Sequence, residues 1–192
     1  MADGGEGTTD ALMHATGATK YTVIVNDPLM RPIEVSYARA DEHQIAIIEM
    51  AAASGLDLLK KEERNPLYTS SYGTGELIKD ALDHGAKTII LGIGGSATND
   101  GGTGMLSALG VQFTDANGKL LHMHGDNLAH IAQIDTTNLD TRLKEVTFKV
   151  ACDVNNPLLG EHGATYIYGP QKGADMKMIQ KLDFAMSHYH DK

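Results

Sequence analysis

One segment restricts the fold of this chain more than any other: a short apolar run that leads through a glycine-rich loop into a helical sequence. Residues 89–91 are Ile, Ile and Leu, six glycines follow up to position 104, and residues 105–109 have helical character. Such an arrangement predicts an anion site, because glycines let a ligand approach the backbone and a helix N-terminus presents unpaired N–H groups. Asp100 in the loop would repel a bare phosphate. It therefore suggests phosphoryl chemistry with a metal ion or a substrate hydroxyl between the two charges.

Composition narrows the class of protein. The 192 residues suit one sizeable domain, or one domain and part of another. The formal net charge of −9 argues against nucleic-acid and anionic-membrane surfaces, which rely on basic patches. No apolar run approaches the roughly 20 residues that span a bilayer. The N-terminus resembles no secretory signal, and a single cysteine, Cys152, cannot form an internal disulfide. We therefore expect a cytoplasmic protein without nucleic-acid or membrane partners.

The pattern of apolar residues along the chain predicts an α/β fold. Apolar and β-branched runs predict strands at 21–25, 33–37, 45–50, 88–93, 111–114, 120–122 and 146–150, with hairpins joining the first two and the fifth and sixth. Helical periodicity predicts helices at about 74–84, 100–109 and 175–189. Ser71 or Thr74 could cap the first helix, and Gly85 could end it. The expected architecture is a mixed sheet with strand–glycine loop–helix units and added hairpins.

A dinucleotide site is the main alternative for the glycine loop. The pattern Gly92-x-Gly94-x-x-Ala97 follows a strand, and Asp115 lies near the position of a ribose-binding acid. Three details oppose this interpretation. Residues 99–102 include two glycines where the crossover helix should run, the connection to the next strand is short, and Asp115 opens a tight turn.

Polar side chains within the glycine loop could bind a ligand. The ordinary phosphate-binding fingerprint, a glycine-rich loop that ends in Gly-Lys-Ser/Thr, is absent. Each polar residue could instead cap the following helix, because Ser, Thr, Asn and Asp are favoured at helix starts. The density of glycines around them favours a ligand for the group as a whole. The group comprises Ser96, Thr98, Asn99, Asp100 and Thr103.

Further polar candidates lie outside the loop. Asp153 and Asn156 follow a predicted strand, where side chains often line an α/β site, although an Asx-type turn explains them equally well. Lys172 lies between glycines of an acidic protein and could meet an anion, or it could be a solvated lysine in a turn. Glu49 ends an apolar strand, where a carboxylate is costly unless paired. Residues 3–8 alternate glycines and acids, which suits either a metal- or hydroxyl-binding loop or a helix cap.

Six segments, taken together, resemble the bacterial glycerate kinase family of the glycerate 2-kinase type. In chain order they are ADGGEGT at 2–8, IEMAAASGL at 48–56, SYGTGELI at 71–78, GIGGSATNDGG at 92–102, ACDVNNPLLG at 151–160 and GPQKGA at 169–174. They cover nearly the whole chain in the family's order. The glycine loop and the last two segments are the most specific.

This resemblance implies transfer of the γ-phosphoryl group of ATP, with Mg²⁺, to a hydroxyl of the small-molecule substrate D-glycerate, giving 2-phosphoglycerate. Such chemistry needs a metal to neutralise phosphate charge, donors for the phosphoryl group and a carboxylate for the hydroxyl. Asp100 and Lys172 are accordingly expected to be catalytic, with Asp100 acting on the hydroxyl or holding Mg²⁺. The residues expected to bind substrate or phosphate are Gly94, Gly95, Ser96, Thr98, Asn99, Asp153, Asn156 and Glu49.

The resemblance is to a longer protein with two α/β domains, one inserted in the other. Family members begin earlier and continue past Lys192. The resemblance implies that residues 1–20 form the junction with the missing N-terminal part of the other domain. Residues 21–192 would then be most of the inserted domain, incomplete at the C-terminus. We expect an internal fragment that is inactive alone, because half of the interdomain cleft is absent. A stand-alone binding module without turnover and a nicotinamide-dependent oxidoreductase are the alternatives, and a homo-oligomer stays open.

Overall fold

Seven strands form a mixed sheet and a small ribbon in the computed structural model, which describes Met13 and residues 17–192; all counts refer to these residues. In chain order the strands are β1 (Thr19–Asn26), β2 (Pro32–Ala40), β3 (Ile45–Glu49), β4 (Thr88–Gly92), β5 (Gln112–Thr114), β6 (Gln133–Asp135) and β7 (Thr147–Ala151). The sheet has the order β1-β2-β3-β4-β7. Its first three strands are antiparallel, and β3, β4 and β7 are parallel. Strands β5 and β6 form a separate antiparallel pair.

Five α-helices and several 3₁₀ turns connect these strands in the described part of the chain. The helices are α1 (Ala51–Ser54), α2 (Tyr72–Asp83), α3 (Thr103–Ala108), α4 (Ala164–Tyr168) and α5 (Met176–His190). The 3₁₀ turns are Asp41–His43, Leu56–Leu58, Lys61–Glu63, Gly125–His130, Thr141–Glu145 and Pro170–Lys172. Helix α2 ends where Gly85 takes a φ of +82°, a conformation that favours glycine. Helix α5 begins at Asp175, whose side chain accepts the N–H of Met178.

The main core lies between one face of the sheet and α2. Alternate strand residues such as Tyr37, Ile48 and Ile89 point to this face because side chains alternate along a strand. They pack against Leu77 and Ile78, which recur at helical spacing on the buried side of α2. A second core cluster forms around Val111, Phe113, Met123, Leu128, Ile131, Ala185 and Met186. It joins α5 to the β5–β6 ribbon.

The parallel strands bring three chain segments together at one edge of the sheet. Glu49 ends β3 and is opposite Gly92, which ends β4 and is in turn opposite Ala151 at the end of β7. The glycine loop and the segment that begins at Cys152 therefore leave the sheet side by side. In open α/β sheets, ligands bind in the crevice beyond the carboxyl ends of the strands. This edge is the expected place for a ligand site.

The predicted α/β class and mixed sheet are confirmed, but one helix begins later than predicted and one hairpin is shorter than predicted. The helix expected from about residue 100 begins at Thr103. Gly101 and Gly102 have φ values of +58° and +75°, so these residues cannot continue a right-handed helix. The tight turn predicted at 115–118 is present, but the hairpin partner expected at 120–122 is limited to one bridge, between Thr114 and Leu120, with backbone hydrogen bonds on either side of it. Residues 133–135 pair with the other edge of β5 and were not predicted as a strand.

The division of the chain at residue 20 stays a prediction. Residues 1–12 and 14–16, which include the acidic glycine segment at 3–8, lie outside the described residues. Within the described part, none of the helices has both the length and the apolar character that a bilayer crossing requires.

Candidate functional site

A cavity of about 370 Å³ lies at the carboxyl edge of the parallel strands. Gly94, Gly95 and Ser96 of the glycine loop form one wall, and Asp153 forms part of the wall that follows β7. Lys172, in the 3₁₀ turn that precedes α5, lines the cavity as well. We call this space the Lys172 cavity. Four residues that the sequence singled out for binding and one expected to be catalytic therefore meet in one place.

Lys172 is the most unusual group of this cavity because its ammonium is buried. The residue is 9% exposed, and Nζ donates to Ser96 Oγ at 2.9 Å and to the carbonyl oxygen of Thr98 at 2.6 Å. Burial lowers the pKa of Lys172 from 10.5 to about 8, although the charge of Asp100 acts in the opposite direction. Among the described residues no carboxylate lies within ion-pair distance of this ammonium. An anionic ligand in the cavity would balance the charge.

The glycine loop is fixed in front of Lys172 by backbone hydrogen bonds. The carbonyl oxygen of Gly95 accepts the N–H of Leu56 at 2.9 Å, and the N–H of Ala97 donates to the carbonyl oxygen of Ser54 at 2.8 Å. Gly95 has a φ of +72°, which allows the loop to turn sharply after β4. The loop therefore presents Ser96 to the cavity in a fixed position, as a binding site requires.

Asp100 is buried beneath the loop and does not line the Lys172 cavity. It is 2% exposed. Its Oδ2 accepts the N–H of Ser71 at 2.8 Å, the hydroxyl of Ser71 at 2.7 Å and the N–H of Gly104 at 3.2 Å. Its Oδ1 accepts the N–H of Gly102 at 3.1 Å. The carboxylate of Asp100, which the sequence analysis expects to be catalytic, therefore accepts hydrogen bonds from four protein donors.

The described residues do not by themselves complete a metal site, and Asp153 is the one carboxylate among them that lines the Lys172 cavity. No three His, Cys, Asp or Glu side chains of the described residues are grouped closely enough to hold a metal ion. Mg²⁺ is usually bound by one or two carboxylates together with substrate phosphates. Asp100 is buried, accepts four hydrogen bonds and does not line the cavity, so it does not present its carboxylate to a ligand there in the observed arrangement.

The remaining loop residues point away from the cavity or act through their backbone. Thr98 is buried and contributes its carbonyl oxygen to Lys172. Asn99 is also buried, and its Nδ2 donates to Thr165 Oγ1 at 3.2 Å, which ties the loop to α4. Glu49 is half-buried at the end of β3 and is not among the residues that line the cavity.

Asn156 supports the cavity wall from behind. Its Nδ2 donates to the carbonyl oxygen of His162 at 3.0 Å, and its Oδ1 accepts the hydroxyl of Tyr168 at 2.7 Å. Tyr168 lines the cavity. Asp153, by contrast, is exposed and lines the cavity itself. Asp153 is therefore the carboxylate of this segment that is open to a ligand.

Three participants were not predicted from the sequence as site residues. Tyr168 and Gln171 line the cavity. Their position next to Gly169-Pro170 and Lys172 was the available signal. Ser71 was predicted as a cap of α2, but its hydroxyl donates to Asp100 and accepts the N–H of Met105 at 3.0 Å. No local pattern indicates that pairing, because Ser71 and Asp100 are 29 residues apart.

Comparison with known proteins gives a consistent result along the whole chain. A family model described as the glycerate kinase family matches residues 1–192. A Haemophilus influenzae protein named glycerate kinase is 55% identical over 189 residues, which cover 98% of this chain and 50% of the relative. An Escherichia coli protein named glycerate 2-kinase is 51% identical over 189 residues, with the same two coverages of 98% and 50%.

A solved structure supports the same comparison. A Salmonella typhimurium LT2 crystal structure assigned to glycerate kinase 2 matches with a TM-score of 0.94 and 49% sequence identity. The match covers 97% of this chain and 50% of that one. The chain thus spans about half the length of the curated relatives it matches.

Proposed function

The chain belongs to the glycerate kinase family, and from this premise we propose that it contributes the acceptor site of an ATP-dependent glycerate kinase. The reaction would transfer the γ-phosphoryl group of ATP to a hydroxyl of D-glycerate and give 2-phosphoglycerate. The observation that carries the proposal is the buried Lys172 ammonium, which faces a small cavity beside the glycine loop. The free, exposed Cys152 is compatible with a reducing compartment, and we propose a cytoplasmic location.

The cavity residues would act mainly by electrostatics and positioning, which are the principal requirements of phosphoryl transfer. Lys172 would hold the carboxylate of the acceptor or the transferred phosphoryl group. Gly94, Gly95 and Ser96 would contact the other side of this anionic group. A cation in a water-poor site interacts with such an anion more strongly than an exposed cation does. A buried ammonium without a nearby counter-charge is unfavourable, so binding of an anion beside Lys172 would lower that cost.

The two carboxylates near the loop would have different roles. Asp153 is open to the cavity and would orient or accept the proton of the acceptor hydroxyl. Asp100 would act as a positioning residue, because its oxygens hold the far end of the glycine loop rather than face the cavity. This assignment differs from the expectation that Asp100 itself acts on the hydroxyl.

A coupled assay of ATP consumption with D-glycerate tests the proposal. The assay is run on the 192-residue chain and on the longest open reading frame that contains it. In whichever protein turns over, Lys172→Met should lower kcat/KM by roughly 100-fold or more, the usual effect of losing one buried charge-stabilising donor. Lys177→Met removes an exposed lysine of α5 and should have little effect. A Lys172→Met variant with the kcat/KM of the parent would refute the proposed role.

A binding module without turnover is the second candidate. It is favoured by one observation: the described residues already bring the ammonium of Lys172, the hydroxyl of Ser96 and the carboxylate of Asp153 together around one cavity. Calorimetric titration with D-glycerate and with inorganic phosphate separates the two candidates. Binding that depends on Lys172, with no turnover in either protein, would support the module and exclude the kinase. Titration with NAD tests the oxidoreductase alternative in the same experiment, and no binding is expected.

A further inference from the structure

A second and larger cavity of about 790 Å³ has no lining residue in common with the Lys172 cavity. The turn after β1, the segment that precedes α2, the chain that enters β5 and residues 120–124 form its walls. Small-molecule pockets usually enclose about 300–1,000 Å³. The size of this cavity therefore suits a ligand of nucleoside dimensions. We call it the Tyr68 cavity.

Large apolar side chains are unusually exposed around this cavity. Tyr68 is 54% exposed, Leu120 is 53% exposed and Met30 is 47% exposed, and all three line it. Tyr72 and His124 add two more rings, and the His124 ring lies edge-to-face with Tyr68 at a centroid distance of 5.7 Å. Exposed apolar groups that converge on one concavity mark a binding surface. Aromatic rings at its wall suit a planar partner that can stack.

The polar groups of the cavity suit a neutral ligand. Gln112 and Asn138 place side-chain amides at the wall, which can both donate and accept hydrogen bonds. The carboxylate of Glu76 already accepts two hydrogen bonds from Asn26, one from the backbone N–H at 2.7 Å and one from the side-chain Nδ2 at 3.0 Å. Among the described residues that line this cavity there is no lysine or arginine. A phosphate group would therefore find no permanent cation there.

His124 does not supply that cation either. Burial lowers the pKa of its imidazole below the usual 6.5, so the ring is neutral at pH 7. Nearby Asp126 and Asp100 act in the opposite direction, but their effect is smaller than that of burial. The cavity therefore combines aromatic rings, side-chain amides and two imidazoles, those of His122 and His124, with no lysine or arginine among its described lining residues.

The glycine loop lines the Lys172 cavity and is hydrogen-bonded, through Asp100, to the segment that lines the Tyr68 cavity. Ser70 and Tyr72 line the Tyr68 cavity and flank Ser71, which binds Asp100. Ser96 lines the Lys172 cavity and precedes Asp100 by four residues, which span at most roughly 14 Å when extended. One ordered segment thus connects the walls of an apolar, neutral cavity and a cationic one.

We propose that the Tyr68 cavity binds a neutral, planar nitrogen heterocycle, the base of a purine nucleoside, with Tyr68 stacking on the ring and side-chain amides contacting its edge. The chemical class follows from the walls of the cavity. Its identification with the base of the phosphoryl donor rests on the function proposed above. The nucleoside would occupy one side of the loop while the anionic groups occupy the other.

Adenosine, which has no phosphate, is the probe. The 192-residue chain is labelled with ¹³C-methyl methionine, and adenosine is titrated by NMR and by calorimetry. The methyl signals of Met30 and Met123, which line the cavity, should shift, whereas that of Met176, 60% exposed on α5, should not. Tyr68→Ala should weaken adenosine binding by about 10-fold or more, as expected for loss of a stacking platform. Phe184→Ala, which removes an exposed ring (71%) on α5, is the matched control and should bind like the parent. Inorganic phosphate alone should move neither Met30 nor Met123.

Several outcomes would overturn the inference. Adenosine that leaves the Met30 and Met123 signals unchanged, or that binds Tyr68→Ala as tightly as the parent, excludes the proposed site. Leu120→Ser, at an exposed position outside the strands and helices, provides a second variant if Tyr68→Ala fails to fold. Met30 and Met123 signals that respond to protein concentration but not to adenosine would identify the cavity as a contact between copies of the chain.

The result is separable from the phosphotransfer proposal. Turnover that depends on Lys172, without an adenosine effect at Tyr68, would reject this inference alone. Adenosine binding at Tyr68 without turnover in either protein would reject the kinase proposal and retain the nucleoside site.

Discussion

Ser71 donates both its backbone N–H and its hydroxyl to the same carboxylate oxygen of Asp100, at 2.8 and 2.7 Å. The hydroxyl oxygen of Ser71 also accepts the N–H of Met105 at 3.0 Å. Ser71 directly precedes α2, and Asp100 lies just before α3. One buried negative charge therefore lies at the N-terminal ends of two helices, where their dipoles favour an anion. This arrangement fixes the far end of the glycine loop to the helical layer.

Removal of the charge at position 100 should destabilise the fold. Asp100→Asn replaces one oxygen by an amide group that cannot accept the surrounding N–H donors. We expect a loss of about 2–4 kcal/mol in the free energy of unfolding, because hydrogen bonds to a buried charge are strong. Urea denaturation measures it. Asp115→Asn is the control, because Asp115 also accepts two backbone N–H groups but is only half-buried, in a turn. Equal losses in the two variants would contradict the helix-anchoring role of Asp100.

The hydroxyl of Ser71 should stabilise the folded protein through its hydrogen bonds to Asp100 and Met105. Ser71→Ala removes a donor to Asp100 and leaves the N–H of Met105 without its acceptor. We expect a loss of about 1–3 kcal/mol in urea denaturation. Hydrogen exchange at the Met105 amide should also become faster. Ser36→Ala, which removes a hydroxyl paired with Thr22 on the surface, should cost less than about 0.5 kcal/mol. Unchanged exchange at Met105 would show that this contact is unimportant.

The stability of the protein should depend on pH through Lys172. The pKa of this lysine is about 8 in the folded protein and 10.5 in the unfolded chain. Between these values the unfolded chain binds more protons, so the free energy of unfolding rises with pH. The cost of the buried charge is fully present below pH 8 and disappears by about pH 10.5. Relative to Lys172→Met, the parent should gain about 3 kcal/mol across this window.

Urea denaturation at several pH values measures this gain. Lys177→Met serves as the reference for effects that any lost lysine would have, because Lys177 is exposed. If the free energies of unfolding of the parent and of Lys172→Met differ by the same amount at every pH from 7.5 to 10.5, the pKa of Lys172 is not depressed. An anion bound in the Lys172 cavity should move the window to higher pH, because it favours the charged ammonium.

The space at Gly104 should tolerate no side chain. A Cβ atom there would overlap Ser70 Oγ and lie 2.8 Å from Asp100 Oδ2. Helix propensity alone would make Gly104→Ala stabilising by about 1 kcal/mol. We expect instead a net loss of stability, because overpacking costs about 1–3 kcal/mol and disturbs the Asp100 network. The double variant Gly104→Ala/Ser70→Ala should lose less than the sum of the single variants. A stabilised Gly104→Ala protein would contradict the tight packing.

Sequence reasoning succeeded where the relevant pattern is local. The alternation of apolar residues in β1 and β2 and the helical spacing of Leu77 and Ile78 specified those elements within a few residues. It was less successful where a partner lies far along the chain. The partner of β5 at residues 133–135 was missed because this strand is only three residues long and exposed, so no apolar pattern marks it.

The polar residues of the glycine loop show the same division. Their concentration predicted a site, and Gly94, Gly95 and Ser96 do line a cavity with Lys172. The orientation of each side chain was not predictable, because Ser, Asn and Asp form equally good local caps. Asn99 turned out to bond to Thr165 on α4. That contact depends on an element 66 residues away.

By itself, the sequence determined most of the strands, the long helices, the α/β class and the resemblance to a family, since these depend on periodicity and on short ordered segments. Only the tertiary structure decided which groups face a ligand. It joined Lys172 to Ser96, 76 residues apart, and it enclosed Asp100 among four donors. The reason is physical: the burial of a charge and the supply of its hydrogen bonds depend on neighbours from several elements, and the local sequence does not specify those neighbours.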